Sequence, residues 1–181
     1  DVYNQYIEQM CVAWAKRRGL LCLDLGAAHN PAPGFDGVDL NEGEGVKYVG
    51  DFLTLDLPPK SVGVIRANDF LEHIADKRAV MEKIYTLLAE GGMLLSHTPS
   101  SSGRGAFQDP THVSYWNPNS FWYYTDQFYW DFAPSNTKFQ QSFCSEYFPS
   151  EWHAQHNILY VRANLIALRD DVHKYGGHRL W

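Results

Sequence analysis

Residues Leu20–Leu40 read LLCLDLGAAHNPAPGFDGVDL, and the rest of the chain is arranged around them. The stretch opens on an apolar run, Leu20 to Leu25, interrupted only by Asp24. That composition suits a short strand buried on both faces, as in a parallel sheet. Gly26-Ala27-Ala28 follow, small residues that let backbone come close to a ligand. A Pro/Gly-rich turn leads into a second short apolar segment that closes on Asp39. An acid at the end of a second strand is what a sheet needs to hold a ribose by its two hydroxyls. The order strand, small-residue turn, strand, acid therefore points to a nucleoside-type cofactor at the carboxyl edge of an open sheet. By itself, Gly26 equally well marks a tight turn and Asp39 equally well caps one, so the decision rests on the remaining chain.

At 181 residues and 20.7 kDa the chain is expected to form one domain over residues 1–181, large enough for a real core. Hydrophobic residues make up 45% and charged residues 20%, which separates it from disordered sequences. No apolar run approaches the ~20 residues that a membrane span requires. The formal charge is −6, and Lys16-Arg17-Arg18 is the one basic block. That balance argues against broad phosphate-backbone binding, so a nucleic-acid partner is not expected. Cys11, Cys22 and Cys144 are far apart and odd in number. Without CxxC or Cys/His ligand spacing they indicate neither a zinc site nor a disulfide framework, and the reading is a reduced, cytoplasmic protein with no metal.

In chain order, residues 2–17 carry apolar positions at helical spacing with Gly19 as a stop, predicting an amphipathic helix that packs on the sheet or the cofactor pocket. Strands are expected at Val46–Val49, Ser61–Ala67 and Met93–His97. A helix is expected over Lys77–Glu90, where Val80, Ile84, Leu87 and Leu88 share a face and Gly91-Gly92 follow. Lys138–Tyr147 and Asn157–Arg169 read as two long strands joined by a polar turn, an antiparallel hairpin. Between them and the fifth strand lies an aromatic-rich insert, about residues 105–135. The tail Asp170–Trp181 reads as polar and peripheral. Alternating strands and helices make a parallel, doubly wound α/β sheet the natural architecture.

With these segments in this order, the chain resembles a class I S-adenosylmethionine-dependent methyltransferase. More narrowly it is similar to the small bacterial and phage group with an LDLGCG-x-N-P-x-P-G-(F/Y)-x-(G/N)-V-D first motif and an LEHI fourth motif. Here these read LDLGAAHNPAPGFDGVD (Leu23–Asp39) and FLEHI (Phe70–Ile74), and LLAEGGML (Leu87–Leu94) matches the family's entry to the fifth strand. The resemblance covers roughly Leu20 to His97. It implies a Rossmann-like, seven-stranded, mostly parallel sheet with an antiparallel last strand. Gly26–Phe35 and Asn41–Gly45 are too short for the usual helices after the first and second strands, so a trimmed version is expected. Ala28 replaces the usual second glycine and tolerates close approach while its φ stays negative.

The resemblance implies S-adenosyl-L-methionine as cofactor and S-adenosyl-L-homocysteine as product. It brings Gly26, Ala27 and Ala28 to the methionine end of the cofactor, with Asp24 at the motif's acidic position as ligand contact or loop brace. Asp39 is to accept from the ribose hydroxyls with Leu40 beside it, and Asp51-Phe52 are to hold the adenine. Asn68 and Asp69 follow the fourth strand, where the methyl group emerges. His73 is a candidate general base; the competing reading has Glu72-His73 capping the next helix and bonding loop backbone. In Asp109-Pro110-Thr111-His112 an Asp three residues before a His can orient the ring so that one nitrogen takes an acceptor proton. The catalytic candidates are thus Asp69, His73, Asp109 and His112. The aromatic insert reads as a lid over a small or sugar-like acceptor, or as packing, or as a homodimer interface. Three competing functions stay open. An NAD-type oxidoreductase lacks the third glycine and the pyrophosphate-receiving helix. A nucleic-acid methyltransferase lacks the Asn/Asp-Pro-Pro-aromatic tetrapeptide. A catalytically silent module would have kept only the fold.

Overall fold

The computed structural model describes residues 2–169; the tail Asp170–Trp181 lies outside the described residues. Seven strands form one sheet: β1 (Leu21–Leu25), β2 (Asp36–Asp39), β3 (Val46–Val49), β4 (Val62–Asn68), β5 (Leu88–Pro99), β6 (Phe139–Tyr147) and β7 (Tyr160–Ala167). Their order is β3-β2-β1-β4-β5-β7-β6. The first five run parallel, and β7 is antiparallel to both of its neighbours. This is the α/β, Rossmann-like sheet with a reversed last strand that the sequence predicts.

Period-2 alternation along the strands builds a core on each face. Cys22 and Val64 point to one face, where they pack with Val12 and Ala15 of helix α1 (Val2–Arg17). Leu23 and Ile65 point to the other, where they meet Ile84 of α2 (Lys77–Leu87) and Trp116 and Phe121 of the insert. No described helix is long and apolar enough to cross a membrane. At the α1–β4 crossing, Gly63 admits the helix backbone: a Cβ there would lie 2.5 Å from Ala15 Cβ and 3.1 Å from its Cα.

The crossovers after β1 and β2 hold no helix at all, and α1 covers that face instead. Backbone carbonyls take some of their amides, as Val38 does that of Gly26, and two strand-end carboxylates take three more. Asp24 Oδ2 accepts the Ala32 N–H at 2.8 Å. Asp39 takes the Ala28 N–H on Oδ2 and the Asn41 N–H on Oδ1, both at 2.9 Å. Burial works to raise the Asp39 carboxyl, but the amides of Asn41 and Ala28 outweigh it and hold the group below its ordinary value.

Several features differ from the sequence reading, and β7 runs Tyr160–Ala167 rather than Asn157–Arg169. Helix α2 stops at Leu87, because Leu88 is extended and pairs with Val62 as the first residue of β5. Gly91-Gly92 are therefore not a helix stop but a bulge inside β5, where the register jumps from Val62↔Leu88 to Val64↔Met93 and Gly91 takes φ +75°. The link between β6 and β7 is not a bare turn: it contains a short helix, α6 (Glu151–Gln155), with Ser150 as its N-cap. The aromatic insert folds as α3 (Gly105–Gln108), α4 (Pro118–Thr125) and α5 (Gln127–Phe132).

Gly63→Ala should destabilise the protein by about 1–3 kcal/mol, since the helix backbone has no room to yield; urea unfolding would show it, and an unchanged midpoint would refute the close approach. Asp39→Ala should cost about 1–3 kcal/mol at pH 7, two amides losing a charged acceptor. The native carboxyl sits below its unfolded value of about 3.9, so this stability is present above that pH and lost as pH falls through the native value. Unfolding titrations of both forms should converge in acid.

Candidate functional site

The carboxyl ends of β1, β2, β4 and β5 share one edge of the sheet, and the sequence-predicted residues gather there. A cleft of about 700 Å³ opens between this edge and α1, lined by Glu8, Pro31, Ala32, Arg66, Asn68 and His97 among others. Asp24 lies beneath the cleft, 1% exposed. Arg66 Nη1 is 3.0 Å from both of its oxygens, and Arg66 Nε is 2.8 Å from Glu8 Oε1. With Ala32 N–H also bound, Asp24 braces the loop and ties α1 to β4.

The turn after β1 is tight. Gly26 has φ +67°, and a Cβ on it would come 3.1 Å from the Phe70 ring. Ala28 has φ +49°, against the expectation of a negative value. The left-handed region costs an L-residue roughly 1–2 kcal/mol, and the Ala28 N–H bond to Asp39 is what holds it there. Leu40 is 71% exposed next to Asp39 at the end of β2. After β3, Asp51 accepts the Leu53 N–H at 2.9 Å and caps a 3-10 turn over Phe52–Thr54. Phe52 itself is 3% exposed and edge-on to Phe70, with ring centroids 5.9 Å apart. Its ring is a core element here, and no face is presented for a base to stack on.

At the end of β4, Asn68 is half-buried and Asp69 adopts φ +47°, its N–H bonded to the His97 carbonyl at 2.8 Å. Crowding by the surrounding protein raises the Asp69 carboxyl above its usual value, opposed in part by the Tyr160 hydroxyl. Glu72 and His73 sit in a second 3-10 turn, Leu71–His73. They do not cap α2: Asp76 does, through the Ala79 N–H. They bond loop backbone instead. The Glu72 carbonyl accepts the N–H groups of Val113 and Ser114 at 2.8 and 3.0 Å, and His73 Nδ1 is 3.1 Å from the Thr111 carbonyl. The Glu72 carboxyl is 1% exposed and takes the Thr98 hydroxyl at 2.5 Å; burial raises it above its usual value.

The expected Asp109–His112 hydrogen bond is not made. His112 Nε2 stands 3.9 Å from Asp109 Oδ2, because Asp109 Oδ1 is turned back onto the Thr111 amide and hydroxyl at 2.8 and 2.6 Å. The Ala106 carbonyl, 3.1 Å from Nδ1, orients His112 in its place. The fold nevertheless brings His112 against His73, ring centroids 5.1 Å apart. In the insert, Trp116 and Phe121 are core residues, while Tyr123, Phe128 and Phe132 remain exposed.

Four residues were missed in the sequence. Phe70 forms the wall opposite Gly26, and Arg66 and Glu8 line the cleft. His97, stacked on Tyr160 at 4.3 Å, is neutral at physiological pH because burial, reinforced by Arg162 and Arg66, pushes it down to about 4. Its one sequence signal was a titratable residue at the carboxyl end of the strand Met93–His97.

Comparison with known proteins agrees with this geometry. Residues 13–143 match the family described as Methyltransferase domain. No curated protein matches the sequence. Among solved structures, Haemonchus contortus phosphoethanolamine N-methyltransferase 2, in complex with phosphomonomethylethanolamine and S-adenosylhomocysteine, aligns with a TM-score of 0.56 at 13% identity over 88% of this chain. The chain spans about half of that protein, 52%. N-methyltransferase NodS from Bradyrhizobium japonicum WM9 aligns with a TM-score of 0.55 at 11% identity, over 93% of this chain and 98% of its own. The [4+2]-cyclase SpnF aligns at 0.60 and 11% identity, over 92% and 81%. At these identities structural likeness speaks for the fold alone, and SpnF shows that the fold hosts other chemistry. The family match spans most of the chain and is of a different kind; on it, with the class I sheet order, this chain belongs to the methyltransferase-domain family.

Proposed function

We propose that the chain binds S-adenosyl-L-methionine at the carboxyl edge of β1, β2 and β4 and transfers its methyl group to a small or sugar-like acceptor. The observation that carries this reading is the pairing of Asp39 with exposed Leu40 beside the Gly26–Ala28 turn. Each Asp39 oxygen accepts one amide, and a carboxylate oxygen has two acceptor sites. The Asn41 side chain also bonds the carboxylate, which leaves acceptor capacity for ribose hydroxyls. Leu40 is the apolar surface for the adenine, and Asp51 the acceptor for its exocyclic amine. Phe52 and Phe70 support the pocket from beneath. Gly26 and Ala27 border the methionine end, whose zwitterionic terminus the Arg66–Glu8 pair of the cleft complements. Asn68 and Asp69 flank the sulfonium, and Asp24 acts as the brace of the loop.

Methyl transfer is an in-line displacement: the acceptor atom bonds to the methyl carbon as the carbon–sulfur bond breaks, and sulfur keeps the electron pair. Alignment and exclusion of water supply most of the acceleration. An acceptor proton can leave to solvent; the rings of His73 and His112, each with its Nδ1 directed at a carbonyl, border the acceptor side near β4. Asp109 holds the loop that carries His112. A small acceptor is consistent with the Haemonchus enzyme of the same fold, described in complex with phosphomonomethylethanolamine.

Calorimetric titration with S-adenosylhomocysteine, with NADH as control ligand, tests the reading. Binding near ~1 μM, about −8 kcal/mol, is expected for the first and none for the second. Leu40→Asp, at a position with little packing to lose, should weaken it at least about tenfold by desolvating a charge against the base. Unchanged affinity in that variant, or binding of NADH alone, would refute the assignment.

A further inference from the structure

Three side chains from two separate segments converge beside the end of β4. Glu72 and His73 come from the 3-10 turn and His112 from the loop after α3, with one potential ligand atom of each within 4.8 Å of the others. Both imidazoles are anchored in the same way, His73 Nδ1 to the Thr111 carbonyl and His112 Nδ1 to the Ala106 carbonyl, each at 3.1 Å. A carbonyl oxygen can only accept, so each Nδ1 carries a proton, and Nε2 is the nitrogen through which the neutral ring can bind a metal. Backbone carbonyls fixing the ring and tautomer in this manner are the usual outer contacts of metal-bound histidines.

A second, independent observation concerns Glu72. Its side chain is 1% exposed, Oε2 takes the Thr98 hydroxyl, and Oε1 is buried with no hydrogen-bond partner. Buried polar atoms are almost always paired, and the groups gathered with this carboxylate are ring nitrogens of His73 and His112. A cation resolves all three at once. Asp69 and Asp109 add negative charge around both histidines.

We propose that Glu72, His73 and His112 bind a divalent first-row transition-metal ion of the zinc, manganese or iron(II) type. Two imidazole nitrogens and one carboxylate suit these ions and not calcium or magnesium, which prefer all-oxygen shells. Ligands at 2.0–2.2 Å from zinc stand about 3.4 Å apart, so donors that lie within 4.8 Å of one another draw together by at most about 1.4 Å on binding. His73, the exposed member, has the room to move. Sequence spacing could not reveal this site, because the third ligand arrives from the insert.

The site stands without the methyltransferase reading. One consequence does rest on it: an acceptor hydroxyl bound in a remaining coordination position would lose its proton to solvent more readily, and its oxygen would then take the methyl group.

The test is a cobalt(II) titration of the chelator-treated full chain, followed by visible d–d absorption, with zinc as the displacing ion. One saturating equivalent is expected. His73→Ala and His112→Ala should each weaken it at least about tenfold, since even outer-contact losses cost that much, with circular dichroism unchanged. Should His112→Ala unfold, His73→Ala at its exposed position decides alone. No saturable equivalent, or equal binding in the histidine variants, overturns the site and assigns any cobalt signal to other histidines. S-adenosylhomocysteine calorimetry on the same samples separates the two claims, since either ligand can bind without the other.

Discussion

Backbone amides that have no helix to belong to must still be paired, and this constraint governs the cofactor side of the molecule. A class I fold normally satisfies the crossovers after its first two strands with helices. Here they are ten and fewer residues of Pro/Gly-rich chain, and the work is shared by local backbone carbonyls and the carboxylates at the strand ends. Asp24, buried and paired with Arg66, fixes the first loop, and Arg66 in turn pins Glu8 of α1. Asp39 fixes the turn at Ala28 and the start of the second loop. The same charges that stabilise the trimmed fold therefore shape the candidate pocket, and α1 has become a pocket wall as well as a cover for the sheet.

The opposite side of the edge is organised by Glu72. Its carbonyl gathers the backbone of Val113 and Ser114, and its carboxylate reaches Thr98 at the end of β5. The insert is thereby locked to the turn after β4. Trp116 and Phe121 complete the attachment as buried residues of the α2-side core. The insert is best described as an integral part of the core on that face, with a chemically equipped loop at its rim, and only its outer aromatics stand in solvent.

Much of the sheet was legible. β3 was read with its observed ends, β1 and β4 within about one residue, and β2 with its observed end at Asp39, because short strands bounded by Gly, Pro and Asp leave little choice of limits. The errors have a shared cause. Gly91-Gly92 look like a helix stop, but strand pairing with Val62 outcompetes the last turn of helix for Leu88. Ala28 looks compatible with negative φ, but a specific hydrogen bond to Asp39 makes the left-handed conformation affordable. Asp109 looks like a partner for His112, but its nearest donors are on Thr111. In each case a tertiary or very local competitor wins over the pattern.

The sequence by itself determined the class of fold and its family resemblance, since hydrophobic period, turn residues and motif order are all local properties of the chain. It also singled out Asp39, Asp69, His73 and His112 as residues worth attention. Which of these act together was decided only by the tertiary structure. Crossover strands bring Asp39 to Ala28, β5 brings His97 beside Asp69, and the insert carries His112 to His73 and Glu72. Such contacts join residues far apart in the chain, and the packing of the sheet edge that unites them leaves no mark in the spacing of the residues themselves.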